Sequence, residues 1–141
     1  KAGDNVWRNT RYNKGFVLNA LFGKEFYFAN NRKVLDVNAR VSVTGGERYS
    51  PILESQSVTQ KRVIYDESRA FSEQFRTLTY ADLTVNYRIN HRKSSSVFSF
   101  QMKNVLGAPI YIDHNYNYQT GQIELSKATL VIPNISYKIE F

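Results

Sequence analysis

The sequence predicts an all-β protein: an antiparallel, up-and-down meander of about five strands. Three observations carry this. Apolar and polar residues alternate with period two through most of the chain, helical periodicity is scarcely present, and Asn- or Ser-rich turns alternate with long polar connections. The first strand spans residues 16–28, with Phe16, Leu18, Ala20, Phe22, Phe26 and Phe28 on one face, interrupted by Lys24. The tight turn Asn30-Asn31-Arg32 follows, where Asn tolerates positive φ. Residues 33–45 give the cleanest alternation, setting Leu35, Val37, Ala39, Val41 and Val43 against Asp36, Asn38, Arg40, Ser42 and Thr44. Residues 81–90 repeat it, with Leu83, Val85, Tyr87 and Ile89 opposite Asp82, Thr84, Asn86 and Arg88. After the short turn at His91–Ser95 come 97–103, with Phe98, Phe100 and Met102 on one side, and finally 135–141, with Ile135, Tyr137, Ile139 and Phe141 on one side.

Composition narrows the setting. The chain has 141 residues, at most one domain's worth, and no cysteine, so disulfides, thiol nucleophiles and Cys-ligated metals are excluded. At 42% hydrophobic it is too apolar for disorder. No apolar run reaches the ~20 residues of a membrane helix, and Lys1–Asn5 is too polar for the core of a secretory leader. The alternation itself suits a soluble antiparallel sheet with one buried face. It equally suits a transmembrane barrel, whose strands alternate and so average out as hydrophilic.

Three features favour the barrel. The polar face carries Asp36, Arg40, Asp82, Arg88, Lys103, Lys138 and Glu140, as a water-filled lumen would. The apolar face gathers Phe26, Phe28, Tyr87, Phe98 and Phe141 toward the short-turn end, as an interfacial girdle would. The connections run short, long, short, long, and two structureless loops such as 46–80 and 105–129 are rare in compact soluble domains but usual on outer-membrane barrels. On this reading Leu35, Val37, Val41, Val43, Leu83, Val85 and Ile89 face lipid. A soluble ligand-binding β-barrel or β-sandwich is the alternative, and it points the same residues inward.

Chemical motifs are sparse. His91 and His114 are far apart in sequence and read as solvated, and Asp66-Glu67 reads as part of a solvated loop. No phosphate loop, nucleophile elbow or metal-binding spacing occurs, so neither enzymatic activity nor a cofactor or metal is expected. The formal charge of +7, from 19 Lys and Arg against 12 Asp and Glu, is scattered over loops and turns. No strand face interleaves aromatics with basic residues, as a single-strand nucleic-acid groove would, so nucleic-acid binding is not expected. Basic residues near strand ends suit lipid phosphates.

Several segments carry a family resemblance. Pro133-Asn134-Ile135-Ser136-Tyr137-Lys138-Ile139-Glu140-Phe141 resembles the closing strand of an outer-membrane barrel. Thr44-Gly45-Gly46-Glu47-Arg48-Tyr49-Ser50-Pro51-Ile52 resembles a strand exit of TonB-dependent receptors from Bacteroidetes-type bacteria. Residues 81–90 with 98–105 are similar to the penultimate hairpin of those receptors, and residues 66–71 to the loop before it. The likeness runs from about Tyr12 onward and rests on the order and spacing of these segments. It implies that the chain is the C-terminal part of a large transmembrane β-barrel, with 1–12 a remnant of an extracellular loop and 46–80 and 105–129 extracellular loops. No plug domain falls within 1–141.

The resemblance further implies an outer-membrane location and uptake of a scarce ligand (siderophore, cobalamin, glycan or peptide). The implied partners are the remaining strands and plug of the same receptor, outer-membrane lipid and the barrel-assembly machinery, with TonB engaged only through an N-terminal part outside this chain. Tyr137, Ile139 and Phe141 are implied as the assembly signal. The ligand-binding residues stay unassigned, because ligand contacts fall on loops and plug.

Overall fold

A computed structural model describes residues 5–141; the first four residues of the expected loop remnant 1–12 lie outside the described residues. In chain order the strands are β1 (Val17–Phe28), β2 (Lys33–Thr44), β3 (Arg48–Tyr49), β4 (Glu73–Gln74), β5 (Leu78–Asn90), β6 (Ser95–Lys103), β7 (Pro109–Asn117), β8 (Gln122–Thr129) and β9 (Ile132–Glu140). A short helix α1 (Glu54–Gln60) and a 3-10 turn (Glu67–Arg69) lie between β3 and β4. The chain divides into two units, one holding the bodies of the five long sheet strands and the other the long connections.

The sheet unit is an antiparallel meander of five strands in the order β1-β2-β5-β6-β9, so the fold class read from the sequence holds. It is open, with β1 and β9 at its edges. Strand ends differ slightly from expectation: the third strand starts at Leu78, the fourth at Ser95, and the last covers Ile132–Glu140 with Phe141 beyond it. Pro133, which lacks a ladder donor, sits in the edge strand β9. The β1–β2 turn places Ala29, Asn30 and Asn31 at φ 51, 54 and 65°, and Arg32 N–H donates to Ala29 O at 3.2 Å. His91 N–H donates to Ser94 O at 2.8 Å and closes the β5–β6 turn.

At the end of β6, Asn104 takes over from the strand ladder. It is buried and sits at φ 54°, a left-handed conformation that Asn adopts more readily than most residues. Its N–H donates to Asp82 Oδ1 at 3.0 Å, and its Nδ2 donates to Ala108 O at 2.9 Å and to Leu130 O at 3.0 Å. Its Oδ1 accepts from Ala108 N–H at 2.9 Å. This one residue thus ties β5, through its backbone N–H, to the end of β6 and, through its side chain, to the residue leading into β9.

The connection unit departs from the expectation of two structureless loops. Residues 105–129 hold the antiparallel hairpin β7–β8, whose register shifts between Tyr111 and Asp113. Residues 46–80 hold α1, the 3-10 turn and the β3–β4 pair, with Arg48 opposite Gln74 and Tyr49 opposite Glu73. α1 has no apolar stripe; its anchor is the fully buried Ser57, whose Oγ donates to Leu53 O at 2.8 Å and accepts from Ile64 N–H at 2.9 Å. Asp66, expected in a merely solvated loop, caps the 3-10 turn by accepting from Ser68 N–H at 3.0 Å and pairs with Arg69 at 2.8 Å. Those bonds to Ser68 and Arg69 hold its carboxyl down at about 2.

The Gly45-Gly46 step is where three segments converge. Gly45 N–H donates to Phe16 O at 3.1 Å, Arg48 N–H to Arg11 O at 2.9 Å, and Phe75 N–H to Glu47 O at 3.0 Å. A Cβ on Gly46 would lie 2.3 Å from Phe75 O, and one on Gly45 1.9 Å from Lys14 O. Both obstacles are backbone, so neither can swing aside. Gly46→Ala is therefore expected to destabilise this unit by about 1–3 kcal/mol. Limited proteolysis within residues 47–76, compared with the parent protein, is the check.

Candidate functional site

Three surfaces are candidates. The first is the apolar face of the sheet. On β5, β6 and β9 the register aligns Leu83 with Met102, Val85 with Phe100 and Ile135, and Tyr87 with Phe98 and Tyr137. On β2, Asn86 Nδ2 donates to Asp36 Oδ2 at 2.9 Å and Arg40 Nε to Asp82 Oδ2 at 3.1 Å, which puts the even-numbered residues of β2 and β5 on one face. Alternation then places Leu35, Val37, Val41, Val43, Leu83, Val85 and Ile89 together on the other. Tyr137 and Ile139 join that face opposite Phe98 and Ser96, with Phe98 and Tyr137 ring centroids 4.6 Å apart. Phe141 lies past the strand and is fully exposed. Among the described residues no hydrophobic side chain is buried, and on this face Phe22 and Ile135 keep 63% and 80% of their surface.

The second surface is the polar face, a lattice of paired charges. Beyond Arg40–Asp82, Arg88 reaches Glu140 at 3.5 Å and Lys138 reaches it at 2.7 Å. Asn38 donates to both oxygens of Asp36, at 2.8 and 2.7 Å. Two open grooves run across this face, of about 380 and 540 Å³. Gly23 lines the smaller one beside Asn38, and a Cβ there would meet Asn38 Oδ1 at 2.4 Å. Such a surface is hydrated and of mixed sign, and it offers no nucleophile paired with a base.

The third surface is a pocket of about 210 Å³ in the connection unit. Tyr49 and Phe75 stack at 4.4 Å, and His114 packs on them at 4.9 and 5.7 Å. This corrects the reading of His114 as a solvated loop residue: it is on β7, half-buried among rings, and its Nδ1 is buried without a hydrogen-bond partner. Burial pushes its pKa down, against the opposing pull of Asp113. Its ring partners are distant in sequence, so no local spacing announces the cluster. Arg11 pairs with Glu47 at 2.9 Å and donates to Ile112 O at 3.1 Å, and that bond to Glu47 raises its pKa. Arg48 donates through Nε to Asn13 O at 3.0 Å.

Tyr65 donates its hydroxyl to Asp113 Oδ1 at 2.6 Å. Burial, and then that bond, push its pKa far above the ordinary 10.0. Because the folded value is the higher one, the stabilisation is complete below pH 10 and drains away as alkali ionises the unfolded tyrosine first. The connection unit is thus expected to lose stability above pH 10 in the parent protein, and Tyr65→Phe to remove that part of the slope. Denaturant titrations from pH 8 to 11 provide the measurement.

Among the described residues no three His, Asp or Glu side chains gather as metal ligands. No family model, curated protein or solved structure matches the chain.

Proposed function

We propose that this chain is a stretch of wall from a TonB-dependent outer-membrane transporter, lipid on its apolar face and an aqueous lumen on its polar one. The observation that carries the reading is a meander sheet whose apolar face buries no hydrophobic residue among those described: its side chains are half-buried on β2 and β5 and exposed on β1 and β9. A water-soluble domain of this length draws its stability from such burial. Strand length agrees: β1, β2 and β5 have 12, 12 and 13 residues, and β6 and β9 have 9 each, against the ~9–11 that cross a bilayer at a tilt. The open edges agree as well. An unpaired backbone group costs several kcal/mol in hydrocarbon, so β1 and β9 pair with strands outside this chain. The role is structural and non-enzymatic. The transported ligand is a scarce nutrient of the siderophore, cobalamin, glycan or peptide type, and the plug and TonB-contacting part belong to the rest of the receptor.

Spin labels placed singly along β2 of the membrane-embedded protein test the facing. Oxygen should relax labels at 35, 37, 41 and 43, and a water-soluble nickel complex those at 36, 38 and 42. The opposite pattern, or a folded monomer in detergent-free buffer, would hand the case to the soluble β-barrel or β-sandwich.

The terminal strand gives a separate expectation. Tyr137, Ile139 and Phe141 are proposed as the segment read during assembly, when the edge of β9 is still open. Deleting Phe141 should lower the amount of receptor in the outer membrane, measured by quantitative blotting of membrane fractions. Unchanged levels would remove that role.

A further inference from the structure

We infer that the pocket of the connection unit binds a single-ring carboxylate, an aromatic acid carrying one negative charge. Its lining supplies both halves of such a ligand. Arg48 has its Nε committed to Asn13 O, and no carboxylate pairs with it among the described residues, so its terminal nitrogens can grip a planar anion in the forked geometry that favours carboxylates. The other cation in the lining, Arg11, is already taken by Glu47. Tyr49, Phe71 and Phe75 contribute ring surface beside it. A second ring among them gains offset-stacked or edge contacts in a half-buried setting. The volume of about 210 Å³ admits one ring with small substituents.

The acidic members of the lining set the charge. Asp113 is occupied by the Tyr65 hydroxyl and the His114 N–H, and Glu67 is exposed at the pocket. Two carboxylates near one uncommitted guanidinium repel a dianion such as a phosphate monoester, and the site accepts one charge only. This inference goes beyond the uptake reading: a single-ring acid is none of the nutrients proposed for transport, and its binding does not depend on which way the sheet faces. Binding itself is measured apart from transport or membrane facing, so either can fail alone.

The test is calorimetric titration of the intact detergent-solubilised protein with benzoate, benzyl alcohol, acetate and phenyl phosphate. Benzoate should bind saturably and at least tenfold more tightly than each of the other three. Arg48→Gln should weaken benzoate at least tenfold, with Arg48→Lys in between, because an ammonium keeps the charge and loses the fork. Glu67→Gln should tighten benzoate twofold or more by removing a like charge. That exposed position forms no element of the packed rings, so the variant stays informative even if Arg48→Gln does not fold. Absence of saturable benzoate binding, equal affinity for benzyl alcohol, or weaker binding by Glu67→Gln would overturn the assignment.

Discussion

On the proposed membrane facing, arginine in place of Val41 is expected to cost about 2–4 kcal/mol, and arginine at the neighbouring Ser42 less than about 1 kcal/mol. The two residues are adjacent on β2, so strand propensity and depth are nearly matched, and only the face differs. At 41 the guanidinium would enter hydrocarbon beside other apolar side chains. At 42 it would enter a polar face where Ser42 Oγ now donates to Asn19 Oδ1 at 2.7 Å, and losing that exposed bond is a modest penalty. Urea unfolding of the protein in lipid vesicles measures both. Equal costs at 41 and 42 would refute the facing.

Asn104→Ala should be the most damaging single truncation on the polar side of the sheet unit, at about 3 kcal/mol. It leaves the carbonyls of Ala108 and Leu130 and the amide of Ala108 without their partner at a half-buried site, and each such group costs about 1–3 kcal/mol when fully buried and less where water reaches it. It also puts an ordinary Cβ at φ 54° without the side-chain bonds that repaid that conformation. Asn104→Gly should recover roughly 1 kcal/mol by removing the backbone strain alone. Asn104→Asp should recover nothing, since its carboxylate would face two carbonyl oxygens. By contrast Asp82→Asn keeps the acceptor for Asn104 N–H and loses only the half-exposed pair with Arg40, a change of about 1 kcal/mol or less. The band shift between folded and heat-unfolded protein on cold SDS gels ranks the four variants.

What the sequence shows of this fold follows from where the period of two survives. It survives through β2 and most of β5, where every face position is chemically distinct, and these strands are legible to within a few residues. It fails at the start of β5, where Leu78 and Tyr80 fall on the parity of the polar face, so the strand seems to begin at 81. It fails again in β7, because the register shift around Ile112 throws Tyr111 and Asp113 out of phase and hides a hairpin inside a polar stretch. α1 is invisible for a different reason: a seven-residue helix held by one buried serine has no apolar stripe to detect. The apolar face was therefore readable from alternation, whereas the ring cluster around Tyr49, Phe75 and His114 was not, because only the tertiary fold brings three distant segments together.

The separation of the long strands from their connections has a consequence for how such a protein can change over generations. Residues 45–77 and 104–131 link neighbouring strands of one sheet, yet most of both segments pack together in one unit distinct from that of the long strands. Each doubling of a connection's length adds only about 0.6 kcal/mol of closure entropy. Length is therefore nearly free, and the strand ladder places few demands on what lies between its ends. The two connections pack on one another through the Tyr65–Asp113 bond and the rings of Tyr49, Phe75 and His114, so they change together, as one cassette. Selection can then rewrite the ring-lined pocket by changing the connections, without redesign of the sheet.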